Sequence, residues 1–337
     1  HGVGASCARG AMRARAGRAA LAAGLALSAL PSAFAWWATG HMVLAALAGR
    51  HLTQEAADGI SADLAAYAHL YPGRSDLVTA SEWMDHIKRS TRAFNQWHFK
   101  DKPVLGPGAE PPSCEPDEDV LWAVEQCAKT LAEGPAADPW SRSLSLRFLL
   151  HLLGDLHQPM HSAEYYSSSI HGDMGGNLVH LEPAAAVGEG HDAGNLHSFW
   201  DGGGGASGLE RVASVYPAPP GSTGVDLDAV GALAEELDGG VAAEAAREAF
   251  GEGLGGLMEA VRRWGEESHQ VAVEVAYAGA VGEALGALGT GVNTSAAGWG
   301  EYTAQASATV RAQLTKGGGR AAAVLNSLYA MGGPGAE

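Results

Sequence analysis

The sequence predicts a mainly α protein, folded as one compact multi-helix domain. Three observations carry this. Ala/Leu-rich runs with helical periodicity recur from residue 40 to residue 331. Strand-like runs are few. The 337 residues are 46% hydrophobic and 18% charged, which is ample apolar material for a core. A Gly-rich stretch near 202–224 is too short and too poorly placed to argue for a second domain.

The elements follow in order. "GHMVLAALAGRHL" (40–52) reads as a helix, and Thr53 as the N-cap of a second one through "QEAADGISADLAAYAHL". Ser81 can cap "EWMDHIKRSTRAF". Pro and Gly make 102–116 a loop, and 117–133 is helical again. Ser141 to His157 is a strongly apolar helix, ended by Pro159. "LVHLEP" reads as a short strand, and "AAAVGEGHDAG" and "GGGGASG" as flexible loops. Val225 to Met331 is helical, with breaks expected near Gly239 and Gly289.

Residues 1–35 have the grammar of a secretory signal peptide. Arg9, Arg13, Arg15 and Arg18 form a basic start, "AALAAGLALSAL" is an apolar run too short for a typical membrane span, and Ala33 and Ala35 fit the small-residue cleavage pattern. Met12 is a candidate translation start. Cleavage after Ala35 leaves 36–337 as the mature domain, with 17 basic against 38 acidic residues. So acidic a chain is a poor passive nucleic-acid binder, which needs Lys and Arg to displace counterions from phosphates. The route is secretory, to the outside or to a secretory-pathway or vacuolar lumen. Cys114 and Cys127 are then an even pair in an oxidising route, which suggests a local disulfide, and Asn293 begins a glycosylation sequon.

The chemistry gathers in "LRFLLHLLGDLHQPMH" (146–161). His151 and Asp155 are four apart and share a helix face, while His161 lies beyond the Pro159 break. "NLHSFWD" repeats the spacing with His197 and Asp201. Asp85, His98 and His41 stand in "EWMDH", "WHFKD" and "WWATGH". Mixed nitrogen and oxygen donors of this kind suit zinc. An isolated His is more often a surface or core residue. His157, which falls on a different helix face from His151, stays in that class, as do His51, His69, His86, His180 and His269.

At this point the chain resembles the zinc-dependent, single-strand-specific nucleases of fungi and plants, a family related in fold to bacterial zinc phospholipases C. The resemblance runs through "WWATGH", "EWMDHIKR", "WHFKD", "LRFLLHLLGDLHQPMH", "DMGGN", "NLHSFWD" and "KGGGRAAAVLN". It implies a cleft with three Zn2+ ions. Asp85, His98, His151 and Asp155 would hold one, and His161, His197 and Asp201 a second. The third would take His41, Asp155 and the α-amine and carbonyl of Trp36, with Asp155 as a bridge. Trp36 is also the residue that signal-peptide cleavage exposes.

The resemblance further implies endonucleolytic hydrolysis of single-stranded DNA and RNA to 5′-phosphate products, with 3′-nucleotidase activity, by water activated at the metals and no side-chain nucleophile. Asp85 and Asp155 would be catalytic as ligands. Phe99 would stack a base and Asp101 bind its edge; the alternative for Phe99 is a core residue. Lys88 and Asn177 would contact phosphate; their alternatives are a solvated charge and a turn residue. The segment between His161 and Asn177 is longer here than in the fungal relatives, and "HDAGNLH" is longer by two residues. No stable protein partner and no membrane anchor of the mature chain are implied. Two rival readings remain: a zinc phospholipase C, against which stands Asp201 where Glu is expected, and a non-catalytic zinc-binding protein on the same scaffold.

Overall fold

The computed structural model describes residues 36–332, apart from 89, 113–116, 188–190, 216–217, 246–252 and 288. The expected signal peptide and Cys114 lie outside the described residues. Helix α1 (Ala38–Gly49) is buried over most of its length, His41 included. Thr53 caps α2 (Gln54–Ala65) as expected, its hydroxyl accepting the Ala56 N–H at 3.2 Å. That helix stops before the expected Leu70: Tyr67 turns left-handed, and a single 3-10 turn follows.

Ser81 does not cap a helix. Asp76 caps one turn earlier, accepting the N–H groups of Val78 and Thr79, and opens the short α3 (Leu77–Ala80). The Ser81 hydroxyl donates back to the Val78 carbonyl at 2.7 Å. Helix α4 (Trp83–Lys88) ends well before Phe94. Just beyond it the Thr91 hydroxyl accepts the Ala93 N–H at 3.1 Å, a local turn that competes with helix.

The expected Pro/Gly loop contains a strand, β1 (Pro103–Leu105). Asp119 caps α5 (Val120–Ala132), and Asp138, three residues before the expected start, caps α6 (Pro139–Asp155). Helix α6 is buried throughout 146–155, so this part of it has no solvent face. It carries the fully buried Arg147, whose guanidinium donates to the Arg74 and Leu64 carbonyls and lies 3.8 Å from the Tyr71 ring.

Strand β2 (Glu164–Tyr166) pairs in parallel with β1. Strand β3 (His180–Ala186) runs on past Pro183 and pairs antiparallel with β4 (Asp192–Asn195), so both sides of the expected "AAAVGEGHDAG" loop are strand. Its 188–190 lie outside the described residues. Asn195 caps α7 (Leu196–Asp201). After α8 (Leu227–Ala245) and α9 (Gly253–Val271), a π-helical turn leads to α10 (Gly279–Gly286). Strand β5 (Gly291–Asn293) lies parallel to β3, giving the order β4-β3-β5, and α11 (Trp299–Met331) closes the fold. The fold is mainly α.

The break expected near Gly239 is absent, because α8 continues through it. Gly240 instead allows close packing: a Cβ there would lie 2.7 Å from Thr315 Cγ2 on α11. The chain does break at Gly289, between α10 and β5. Helix α11 also runs straight through Gly317, Gly318 and Gly319, with all three buried. A Cβ on Gly318 would lie 2.5 Å from Leu47 Cβ on α1, so the glycines let two backbones approach. Cys127 is a free, buried thiol on α5, and burial pushes it up to about 12. No helix among the described residues is long and apolar enough to cross a membrane. Asn293 is exposed.

This packing gives two glycine substitutions opposite signs. Gly318→Ala should lower stability by about 1–3 kcal/mol through overpacking, despite the better helix propensity of Ala. Gly239→Ala, with nothing within 4 Å of its Cβ, should raise it by about 0.5–1 kcal/mol. Urea unfolding of the two variants beside the wild type reads both.

Candidate metal centre

Helix α6 delivers His151 and Asp155 one turn apart, both with no solvent exposure. The His151 Nδ1–H donates to the Ser81 carbonyl at 2.8 Å, and a carbonyl can only accept, so the tautomer leaves Nε2 bare. That Nε2 faces Asp155 Oδ2 at 3.3 Å, Asp85 Oδ1 at 3.6 Å and His98 Nδ1 at 3.2 Å. Asp85 comes from α4 and His98 from the 3-10 turn Asn95–His98. His98 Nδ1 is 2.9 Å from Asp155 Oδ2.

His41 arrives from α1. Its ring stacks on His151 at 3.8 Å, and its Nε2 is 3.5 Å from Asp155 Oδ1. Gly154 is what lets it in: a Cβ there would lie 2.5 Å from His41 Nδ1. His161, on the turn Pro159–His161, donates Nδ1–H to the His98 carbonyl at 2.7 Å and lies 3.6 Å from Asp155 Oδ1. His197 donates Nδ1–H to the Gly175 carbonyl at 2.6 Å, and its Nε2 faces Asp201 Oδ2 at 3.3 Å.

Among the described residues, three groups thus place one donor atom per residue within 4.8 Å of one another: His41 with His151 and Asp155, Asp85 with His98 and His151, and His161 with His197 and Asp201. All the side chains predicted as ligands fall within them. Asp155 stands at the centre, one oxygen toward His98 and His151 and the other toward His41 and His161.

The donor set fits a cation. Both His41 ring nitrogens, Asp85 Oδ2, His98 Nε2, Asp155 Oδ1 and His161 Nε2 are buried without a hydrogen bond. Such groups are costly unless something coordinates them. Burial, reinforced by Asp85, raises the Asp155 carboxyl well above its ordinary range, and burial raises Asp201 likewise. Burial lowers His41, His98 and His161, and takes His151 down to about 3, so the imidazoles are neutral and hold lone pairs for a metal. Neutral imidazoles with carboxylates are a zinc-type donor set.

The remaining predicted residues take definite places. Lys88 is only 11% exposed and its ammonium lies 3.0 Å from Asp85 Oδ1, so it is an ion-pair partner at the site's edge rather than a solvated charge. Phe99, next to His98, is half-buried and does not join the hydrophobic core. Asp101 lies two residues before β1, also half-buried. Asn177 closes a turn, its Nδ2 donating to the Met174 carbonyl at 2.8 Å. The Trp36 indole is buried and donates to the Gly154 carbonyl at 3.0 Å, beside Asp155. His157 points elsewhere, its Nδ1 bonded to the Leu153 carbonyl and its Nε2 facing Arg320. Sequence reasoning missed the carbonyls of Ser81, His98 and Gly175 that orient the rings. Only the Gly-rich "DMGGN" hinted at one, since Gly175 and Gly176 hold positive φ.

Compared with known proteins, the sequence model of S1/P1 nucleases matches residues 36–330, which takes in every residue of the centre. The chain belongs to the S1/P1 nuclease family. It is 25% identical to nuclease P1 of Penicillium citrinum over 173 residues, 49% of this chain and 57% of that protein. It is 26% identical to endonuclease 3 of Arabidopsis thaliana over 176 residues, 50% of this chain and 54% of that one. The chain therefore spans just over half the length of the curated relatives it matches.

In this family member the centre sets the sign of a stability effect. Without metal, Asp155→Asn should melt no lower than wild type at neutral pH, because it removes a carboxyl that folding desolvates. A carboxyl raised by folding contributes stability below its unfolded value, lost as pH rises through the folded one. The advantage of Asn should therefore vanish below about pH 4. With zinc at 100 times its Kd the wild type should gain about 2.7 kcal/mol and the variant much less. Thermal melts across pH, with zinc or with chelator, check the crossing.

Proposed function

We propose that this chain is a secreted zinc-dependent endonuclease that cleaves phosphodiester bonds of single-stranded DNA and RNA, leaving 5′-phosphates, with 3′-nucleotidase activity. The observation that carries it is the buried set of carboxylates and imidazoles around Asp155 in a chain matched to S1/P1 nucleases from Trp36 to residue 330. Zinc bound by these groups supplies the positive charge and Lewis acidity that attack of water on phosphorus requires. It also answers how so acidic a protein handles phosphate.

The chain's own residues do the rest. Asp85, His98, His151 and Asp155 hold one ion, His161, His197 and Asp201 a second, and His41, Asp155 and the Trp36 backbone a third. Phe99 is free of the core and offers a face on which an unpaired base can stack, a sequence-tolerant contact that selects single strands. Asp101 takes the base edge. Lys88 and Asn177 face phosphate oxygens.

The test is hydrolysis of single-stranded DNA beside phosphatidylcholine, each with and without chelator. Chelator-sensitive cleavage of DNA alone is expected. Cleavage of lipid alone would make the chain a phospholipase, and cleavage of neither would make it a zinc-binding protein.

Trp36 adds a processing requirement. Its indole is tied to Gly154, and the Trp37 N–H donates to the Asp201 carbonyl at 3.1 Å, so the segment is pinned between two ligand-bearing helices. An α-amine can be a ligand, whereas an amide nitrogen is a poor one, because its lone pair is delocalised into the peptide bond. One extra residue before Trp36 should lower bound zinc by about one ion per chain and slow hydrolysis, and its removal should restore both. Mass spectrometry with metal analysis decides.

A further inference from the structure

Gln158 sits between two residues of the centre, Asp155 and His161, but its amide is bonded to protein partners at both ends. Its side chain has no solvent exposure. Its Oε1 accepts the Met160 N–H at 2.6 Å, within the turn Pro159–His161 that presents His161. A backbone N–H can only donate, so this bond settles the orientation of the amide. The Nε2 end is thereby aimed at Asp201 Oδ1, to which it donates. The oxygen left over, Oδ2, is the one that faces His197 Nε2. The main chain of the same residue adds two more ties, its N–H donating to the Asp155 carbonyl and its carbonyl accepting the His161 N–H, each at 3.0 Å.

We propose that Gln158 is the positioning residue of the His161–His197–Asp201 group: one buried amide sets the turn that carries His161 and fixes which Asp201 oxygen is offered to the ion. It contributes no donor atom to the metal itself. Met at this position matches its length but can neither accept from Met160 nor donate to Asp201. Asn keeps the amide but is a methylene too short to serve both partners. Outer-shell partners of this kind alter metal affinity by about 10- to 100-fold when removed.

The inference rests on the reading that this group holds zinc, and the experiment separates the two. Zinc per chain is measured against buffered free zinc for wild type, Gln158→Met, Gln158→Asn and Asp201→Asn. Anomalous scattering at the zinc edge assigns each ion to its group. Expected is a 10- to 100-fold loss of affinity at the His161–His197–Asp201 group for Gln158→Met, and a loss of the same sign for Gln158→Asn. The other two groups should stay filled. The loss should also be non-additive, Gln158→Asn costing little once Asp201→Asn is present.

Equal occupancy of this group in wild type and both Gln158 variants overturns the role of Gln158. So does an equal loss at all three groups, which is the mark of general destabilisation. Should Gln158→Met fail to fold, Gln158→Asn alone decides by the same criteria. A wild type that leaves this group empty while zinc fills the others overturns the ligand reading itself.

Discussion

The structure depends on one constraint: a carboxylate without solvent, Asp155, at the end of a helix buried along its C-terminal half. No ammonium or guanidinium pairs with it among the ion pairs of the described residues; its neighbours there are four imidazoles, of His41, His98, His151 and His161. An isolated buried charge of this sort is far too costly to keep. Neutral imidazoles cannot neutralise it. They can share with it a cation that binds the native state, and metal affinity then becomes folding energy.

That constraint explains the unusual use of backbone carbonyls nearby. Three rings donate Nδ1–H to carbonyls of Ser81, His98 and Gly175. Each bond fixes both the ring's orientation and its tautomer, and it works regardless of the side chain that owns the carbonyl. The metal-facing atoms are therefore aligned by segments distant in sequence: 81 orients 151, 98 orients 161 and 175 orients 197. Misfolding of any one loop would misdirect a ring in another element.

Packing supplies the same precision from the apolar side. Gly154 opens space for His41, Gly40 lies against Trp36, and Gly317 and Gly318 bring α11 onto α1. Burial of the donors under this packing is what keeps the carboxyls raised and the imidazoles lowered.

By itself the sequence determined the helical class, the Thr53 cap and the residue types of the centre. These rest on local rules: helical periodicity puts 151 with 155 and 197 with 201 whatever the surroundings. The tertiary structure alone decided which pairs meet, and where local signals were overruled. Ser81 looked like a cap but gives its carbonyl to His151, because Asp76 had already opened a helix one turn earlier. Gly239 looked like a break, but α8 runs through it and the adjacent Gly240 is a contact with α11, since a missing Cβ reads alike in sequence whether it loosens a turn or admits a neighbour. The second half of β3 and all of β4 were hidden in small residues, because pairing between main chains leaves little trace in side-chain pattern. A carbonyl that orients a ring leaves no trace at all, since every residue has one.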